Sequence, residues 1–129
     1  MTVDHIIKPM LGSCLGWLGG KTKLCATIVN CIPPHECYCE TFFGSGSIFF
    51  GKPAKISRIE LVNDIHSELI NLMKVISGTH FDESIRQEFI SYVRTMPASR
   101  EAYNDWKKWK PDQIAELTPA QRAFRFYYC

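Results

Sequence analysis

The chain has 129 residues, 46% apolar and 22% charged, the profile of a single soluble domain of ordinary size. A net charge of +2 excludes binding to nucleic acid through bulk charge and leaves room only for a local basic patch. The longest uncharged stretch, Pro9 to Gly20, is broken by Gly12, Gly16 and Gly19. It falls short of the roughly 20 apolar residues of a membrane span. Asp4 and His5 precede it, and no small-residue cleavage site follows, so it is a poor leader. The expectation is a cytoplasmic protein without a membrane segment.

In chain order, Lys21 to Ile32 reads as a helix with Leu24, Ile28 and Val29 inward, stopped by Pro33-Pro34. A strand over Glu36–Glu40 follows. A glycine turn then leads to a short helix from Ser47, ended by Gly51-Lys52-Pro53. Arg58–Val62 alternates in polarity and reads as a second strand with Ile59 and Leu61 inward. Asn63 or Asp64 is placed to cap the next helix, whose stripe is Ile65, Leu69, Leu72, Met73 and Ile76, with Gly78 as its stop. Asp82 starts a further helix with Ile85, Phe89, Val93 and Met96 on one face, ended by Pro97.

Ala102, Trp106 and Trp109 share a helical face, and Pro111 closes that segment. Lys107, Lys108 and Lys110 lie elsewhere on it; they read as a solvated basic face ahead of a patch for DNA phosphates. Thr118-Pro119-Ala120-Gln121 is a helix start with cap, first-turn proline and capping-box glutamine. The helix ends in the aromatic run Phe126-Tyr127-Tyr128-Cys129. Two strands rarely make a stable sheet alone, and a parallel sheet needs cover on both faces. The expectation is therefore the front part of a larger domain.

The six cysteines are Cys14, Cys25, Cys31, Cys37, Cys39 and Cys129. Cys37 and Cys39 share a strand face near His35, which raises a zinc reading. Their spacing lacks the two-to-four-residue gap of zinc hairpins, and no second Cys/His pair follows. Buried or incidental reduced thiols are expected instead.

The turn Gly44-Ser45-Gly46 lies between a strand ending in Glu40 and a helix, with Asp64 eighteen residues past Gly46. Glycine lets backbone approach a ligand closely. An acid about 20 residues beyond such a turn suits a ribose-binding residue. The pattern points to a nucleoside-containing cofactor, although Phe49 breaks the full Gly-x-Gly-x-x-Gly fingerprint.

Three ordered blocks resemble the Dam-type adenine-specific DNA methyltransferases. Lys8-Pro9 followed by Trp17-Leu18-Gly19-Gly20-Lys21 is similar to the family's N-terminal block. Tyr38-Cys39-Glu40-Thr41-Phe42-Phe43-Gly44-Ser45-Gly46 is similar to its Glu-Pro-Phe-x-Gly-Gly-Gly motif, and Asn63-Asp64 through Leu69-Ile70 to its Asn-Asp block. A weaker fourth match is Arg122 to Tyr128. The resemblance implies an α/β, Rossmann-like S-adenosylmethionine-dependent fold, here its N-terminal strands and helices. It implies that residues 1–129 are the cofactor-binding part of a methyltransferase domain. Trp17 and Lys21 would contact the methionine end of the cofactor, with core packing an equal alternative for Trp17. Glu40, Gly44 and Gly46 would shape the turn beneath it, and Asp64 would bind the ribose.

The implied reaction moves a methyl group to the exocyclic amine of adenine in DNA, the partner of the complete enzyme. No metal is expected. Thr41 stands in place of the family's proline, and Ser45 in place of a glycine. The family's Asp-Pro-Pro-Tyr motif, which holds the flipped adenine, is not in the sequence, nor is its DNA-recognition insert. No catalytic residue is therefore assigned, and these residues alone are expected to be inactive. The alternatives are a non-catalytic cofactor-binding remnant and, behind it, a small cysteine-rich zinc or nucleic-acid module. The biological setting stays open between restriction–modification, a phage, and repair or regulation.

Overall fold

The computed structural model describes residues 15–53 and 56–129. Lys8, Pro9 and Cys14 of the sequence reading lie outside the described residues. The chain divides into two compact units, Met1–Ile65 and His66–Cys129.

The first unit is mixed helix and strand. A 3-10 turn over Thr22–Leu24 leads into α1 (Cys25–Cys31). Then come β1 (Cys37–Glu40), α2 (Ser47–Gly51) and β2 (Ile59–Val62). The strands pair in parallel with Cys37 opposite Ile59 and Glu40 opposite Val62. Parallel strands need a crossover, and α2 supplies it. The α1 face differs from the sequence expectation: Cys25 and Val29 are buried and Ile28 packs beside them, whereas Leu24 is exposed. The 3-10 turn rotates Leu24 off the helical stripe. Cys25 occupies the inward place, its thiol donating to the Ser47 carbonyl (3.1 Å).

The sheet also inverts an expectation. Ile59 and Leu61 are exposed, as are Cys37 and Cys39. Successive strand side chains point to opposite faces, and the covered face carries Tyr38 and Glu40. Phe49 of α2 lies against Tyr38 with ring centroids 6.3 Å apart. Phe43, Phe49 and Phe50 meet edge to face. This aromatic cluster on one side decides which strand face is buried, and it outweighs the aliphatic alternation of β2. Of the described cysteines only Cys25 is buried; Cys31, Cys37, Cys39 and Cys129 are exposed. His35 uses both ring nitrogens locally, on the Pro33 carbonyl (2.8 Å) and on Ser57 Oγ (2.7 Å).

The second unit is helical: α3 (Ser67–Ser77), α4 (Glu83–Thr95), α5 (Arg100–Lys107), α6 (Pro111–Ala115) and α7 (Pro119–Tyr128). Neither Asn63 nor Asp64 caps α3. The N-cap is His66, whose ring nitrogen accepts from Leu69 N. The buried stripe is Leu69, Leu72, Met73 and Val75, while Ile65 and Ile76 are exposed. The later start of the helix takes Ile65 off it. Gly78 ends α3 in the left-handed region, as expected (φ 66°).

On α4, Phe89 is buried and Val93 exposed. Pro111 does not close a segment: it opens α6, because proline is well suited to a first helical position. Thr118 and Gln121 form the capping box at α7, which packs on α3 and α4. Ala120 and Ala123 are fully buried and let the helices approach closely. Arg122 forks onto both carboxylate oxygens of Glu68, joining α7 to α3. The terminal aromatics do find packing: Trp106 meets Tyr128 edge to face and Phe124 lies tilted against it, and the Tyr128 hydroxyl donates to the Pro97 carbonyl (2.9 Å). No helix of the described residues is long and apolar enough to cross a membrane.

Candidate functional site

The parallel register brings the loops after the two strands together at their carboxyl ends, the usual position of ligand sites in α/β sheets. Beyond Glu40 and Val62 the ladder continues: Asn63 N donates to the Glu40 carbonyl (2.8 Å), and Phe43 N to the Asn63 carbonyl (3.0 Å). The next step places Asp64 beside the glycine turn. Its Oδ2 accepts from Gly44 N at 2.9 Å. The spacing between the turn and the acid is thus the length of one β–α–β crossover. Asp64 serves the turn instead of the cap of α3.

The turn itself requires glycine. Gly44 and Gly46 have φ of +55° and +69°, a region L-residues rarely adopt. A Cβ on Gly46 would lie 2.5 Å from Phe43 Cζ and 2.7 Å from Phe50 Cε2, so hydrogen alone fits. A Cβ on Gly44 would lie 3.3 Å from the indole of Trp17. Ser45, where the family motif has glycine, is buried with its hydroxyl 2.8 Å from Ser47 Oγ; Thr22 Oγ1 lies 3.0 Å from the same atom. The departure is absorbed as a small hydroxyl cluster under the turn.

Lys21 follows the turn Trp17–Gly20, in which Gly20 N donates to the Trp17 carbonyl (3.1 Å). Its ammonium donates to the Phe42 carbonyl (2.7 Å) and pairs with Glu40 Oε1 at 3.0 Å. Glu40 is only 8% exposed. Its Oε1 is close enough to Lys21 for an ion pair but accepts no aligned hydrogen bond. Its Oε2 accepts from the Tyr38 hydroxyl (3.0 Å). Burial, then the charge of Glu40, pushes the Tyr38 phenol well above its ordinary value.

Trp17, Gly19, Gly20, Lys21, Gly44 and Asp64 line a cleft of about 190 Å³. Of the residues expected from sequence, Trp17, Lys21, Gly44 and Asp64 therefore come together at one opening. Glu40 and Gly46 do not line it: Glu40 stands behind Lys21, and Gly46 supports the turn from beneath. Sequence reasoning missed Tyr38 and the Phe42 carbonyl. The first had a signal, because Tyr38 and Glu40 are two apart on one strand and must share a face. The second is a backbone atom and has none. A cavity of similar size in the helical unit is walled by Tyr92, Met96, Trp106, Trp109, Leu117 and Phe124. Gln121 and Arg125 complete its lining, whose exposed surface is nearly all apolar. Among the described residues no three His, Cys, Asp or Glu side chains gather as a metal site would require.

These features define an α/β protein with a small cleft at the carboxyl end of a parallel strand pair, built on a glycine turn and bordered by Lys21 and Asp64. Residues 17–129 match the model of the D12 class N6 adenine-specific DNA methyltransferases. The DNA adenine methylase of Escherichia coli strain K12 is 31% identical over 114 residues, covering 88% of this chain and 38% of the relative. That of Serratia marcescens is 30% identical over 115 residues, covering 88% and 39%. The Salmonella typhi enzyme is 40% identical over 62 residues, covering 48% and 21%. The chain belongs to the D12 class N6 adenine-specific DNA methyltransferase family. It spans about two-fifths of the length of the Escherichia coli and Serratia relatives it matches.

Proposed function

We propose that residues 1–129 are the S-adenosylmethionine-binding part of an adenine-specific DNA methyltransferase with a Rossmann-like fold, acting in the cytoplasm on DNA. The observation that carries this reading is the cleft that joins Lys21, the bare backbone at Gly44, and Asp64. The donor set fits one end of the cofactor. An ammonium suits its amino-acid carboxylate. A carboxylate offers about four lone-pair sites, so pinning Gly44 N and accepting ribose hydroxyls are compatible roles for Asp64.

The charge balance fits as well. One lysine set against two carboxylates leaves a surplus of one negative charge, complementary to the net positive cofactor. The cleft is smaller than the roughly 300–1,000 Å³ of sites that enclose a whole drug-sized ligand. It suits the methionine end and the start of the ribose. When bound, S-adenosylmethionine supplies an electrophilic methyl group on a sulfonium. The residues of this chain bind and orient: Lys21 is anchored from behind by Glu40 and the Phe42 carbonyl, Trp17 walls the cleft, and Asp64 holds the turn open.

No residue here holds the target adenine, since Asp-Pro-Pro-Tyr is not in the sequence. Methyl transfer requires that amine to be oriented outside the base stack. Calorimetry with S-adenosylmethionine is expected to show one binding site per chain. Incubation with labelled cofactor and adenine-containing DNA is expected to show no incorporation. Binding that is absent, or turnover that is present, would each overturn its half of the reading.

A further inference from the structure

We infer that Tyr38 is a positioning residue for the cofactor, acting through Glu40 on Lys21; this inference rests on the proposed cofactor site. Four groups form a line that ends at the wall of the cleft. The Tyr38 hydroxyl donates to Glu40 Oε2 at 3.0 Å, and Glu40 Oε1 faces Lys21 Nζ at 3.0 Å. Lys21 Nζ donates in turn to the Phe42 carbonyl at 2.7 Å and borders the cleft.

A buried carboxylate is costly unless hydrogen-bonded. Among the described residues Tyr38 is the hydroxyl donor that reaches Glu40, so it decides which oxygen is left to face Lys21. Lysine is otherwise a flexible point charge with three donors. The Phe42 carbonyl takes one of those donors, and the charge of Glu40 holds the ammonium in place beside the cleft.

The phenol is itself held. Lys52 is 5% exposed, and its ammonium lies 5.0 Å from the centroids of both the Tyr38 and Phe49 rings. The ammonium is ion-paired to Glu60, across the sheet from Tyr38 in the β1–β2 register. A desolvated cation over two aromatic faces fixes their orientation. The raised phenol keeps its proton throughout the neutral range, so Tyr38 remains a donor. None of these residues touches the cleft, and their effect on a ligand is carried by Lys21.

The test is a double-mutant cycle of Tyr38→Phe and Lys21→Met, read by calorimetry with S-adenosylmethionine. Tyr38→Phe removes one oxygen and keeps the ring, and is expected to weaken binding roughly fivefold, the size of one lost hydrogen bond. Lys21→Met is expected to weaken it more, and the double variant no further than Lys21→Met alone. Cys37→Ser, on the opposite strand face, should bind as the unaltered chain does.

Tyr38→Phe binding within twofold of the unaltered chain, or effects that multiply in the double variant, would overturn the inference. A second arm needs no ligand. In protein carrying labelled lysine, Tyr38→Phe should shift the side-chain NMR resonance of Lys21 and leave Lys74 and Lys107 in place. An unmoved Lys21 signal overturns the relay whatever calorimetry shows. A moved signal in a chain that takes up no S-adenosylmethionine sustains the relay and refutes the cofactor reading instead.

Discussion

Gly46 is the residue with the least freedom in this site. Its φ of +69° and the Phe43 and Phe50 rings leave no room for a methyl group. Gly46→Ala combines left-handed strain with overpacking, each about 1–3 kcal/mol. A loss of about 2–6 kcal/mol is expected in urea denaturation, with cofactor affinity falling as the turn shifts. Asp64 separates two roles. Asp64→Asn keeps an acceptor for Gly44 N but loses the charge. Its stability should stay within about 0.5 kcal/mol of the parent, while calorimetry shows affinity for S-adenosylmethionine down on the order of tenfold. Asp64→Ala should lose both.

Titration also acts at this scale. Burial, reinforced by Glu40, raises the Cys25 thiol above its ordinary value of 9.0, and the same two causes raise the Tyr38 phenol above 10.0. As pH rises, the unfolded chain releases these protons first. The stability they contribute is complete below pH 9 and is lost progressively above it. Thermal unfolding followed from pH 8 to 11 should show a falling midpoint, with a shallower fall for Tyr38→Phe.

At the scale of elements, the helix starts were the most legible part of the sequence. Thr118-Pro119-Ala120-Gln121 specifies a capping box through local hydrogen bonds, and the structure contains both of them. Thr118→Ala should cost about 1 kcal/mol, measured by chemical denaturation. Gly78 was legible for the same reason, since a left-handed stop is a local requirement. The errors came where a distant partner decided the outcome. Asp64 has the side chain of a cap, but the parallel ladder extends through Asn63 and delivers it to Gly44 instead. Ile59 and Leu61 have the alternation of an inward face, but the aromatic cluster of α2 covers the other side of the sheet. Pro111 is as compatible with the first turn of a helix as with the end of one, and periodicity does not separate the two.

For the molecule as a whole, the family and the glycine turn were legible in the residues alone, and so were Lys21, Glu40 and Asp64 as candidates, whereas Tyr38 was not. Each of the legible features is written in residue types at short or characteristic spacings. Glycine is needed where φ is positive, and Asp64 stands one crossover beyond it, accepting from Gly44 N. The division of the polar residues between the wall of the cleft and the layer behind it was not legible in the sequence and emerged with the packing. Trp17, Lys21, Gly44 and Asp64 line the opening, whereas Glu40 and Tyr38 stand in line behind Lys21. The physical reason is that burial and hydrogen-bond partnership depend on which sheet face the α2 aromatics cover. That choice is made by packing between elements, and no single stretch of sequence contains it.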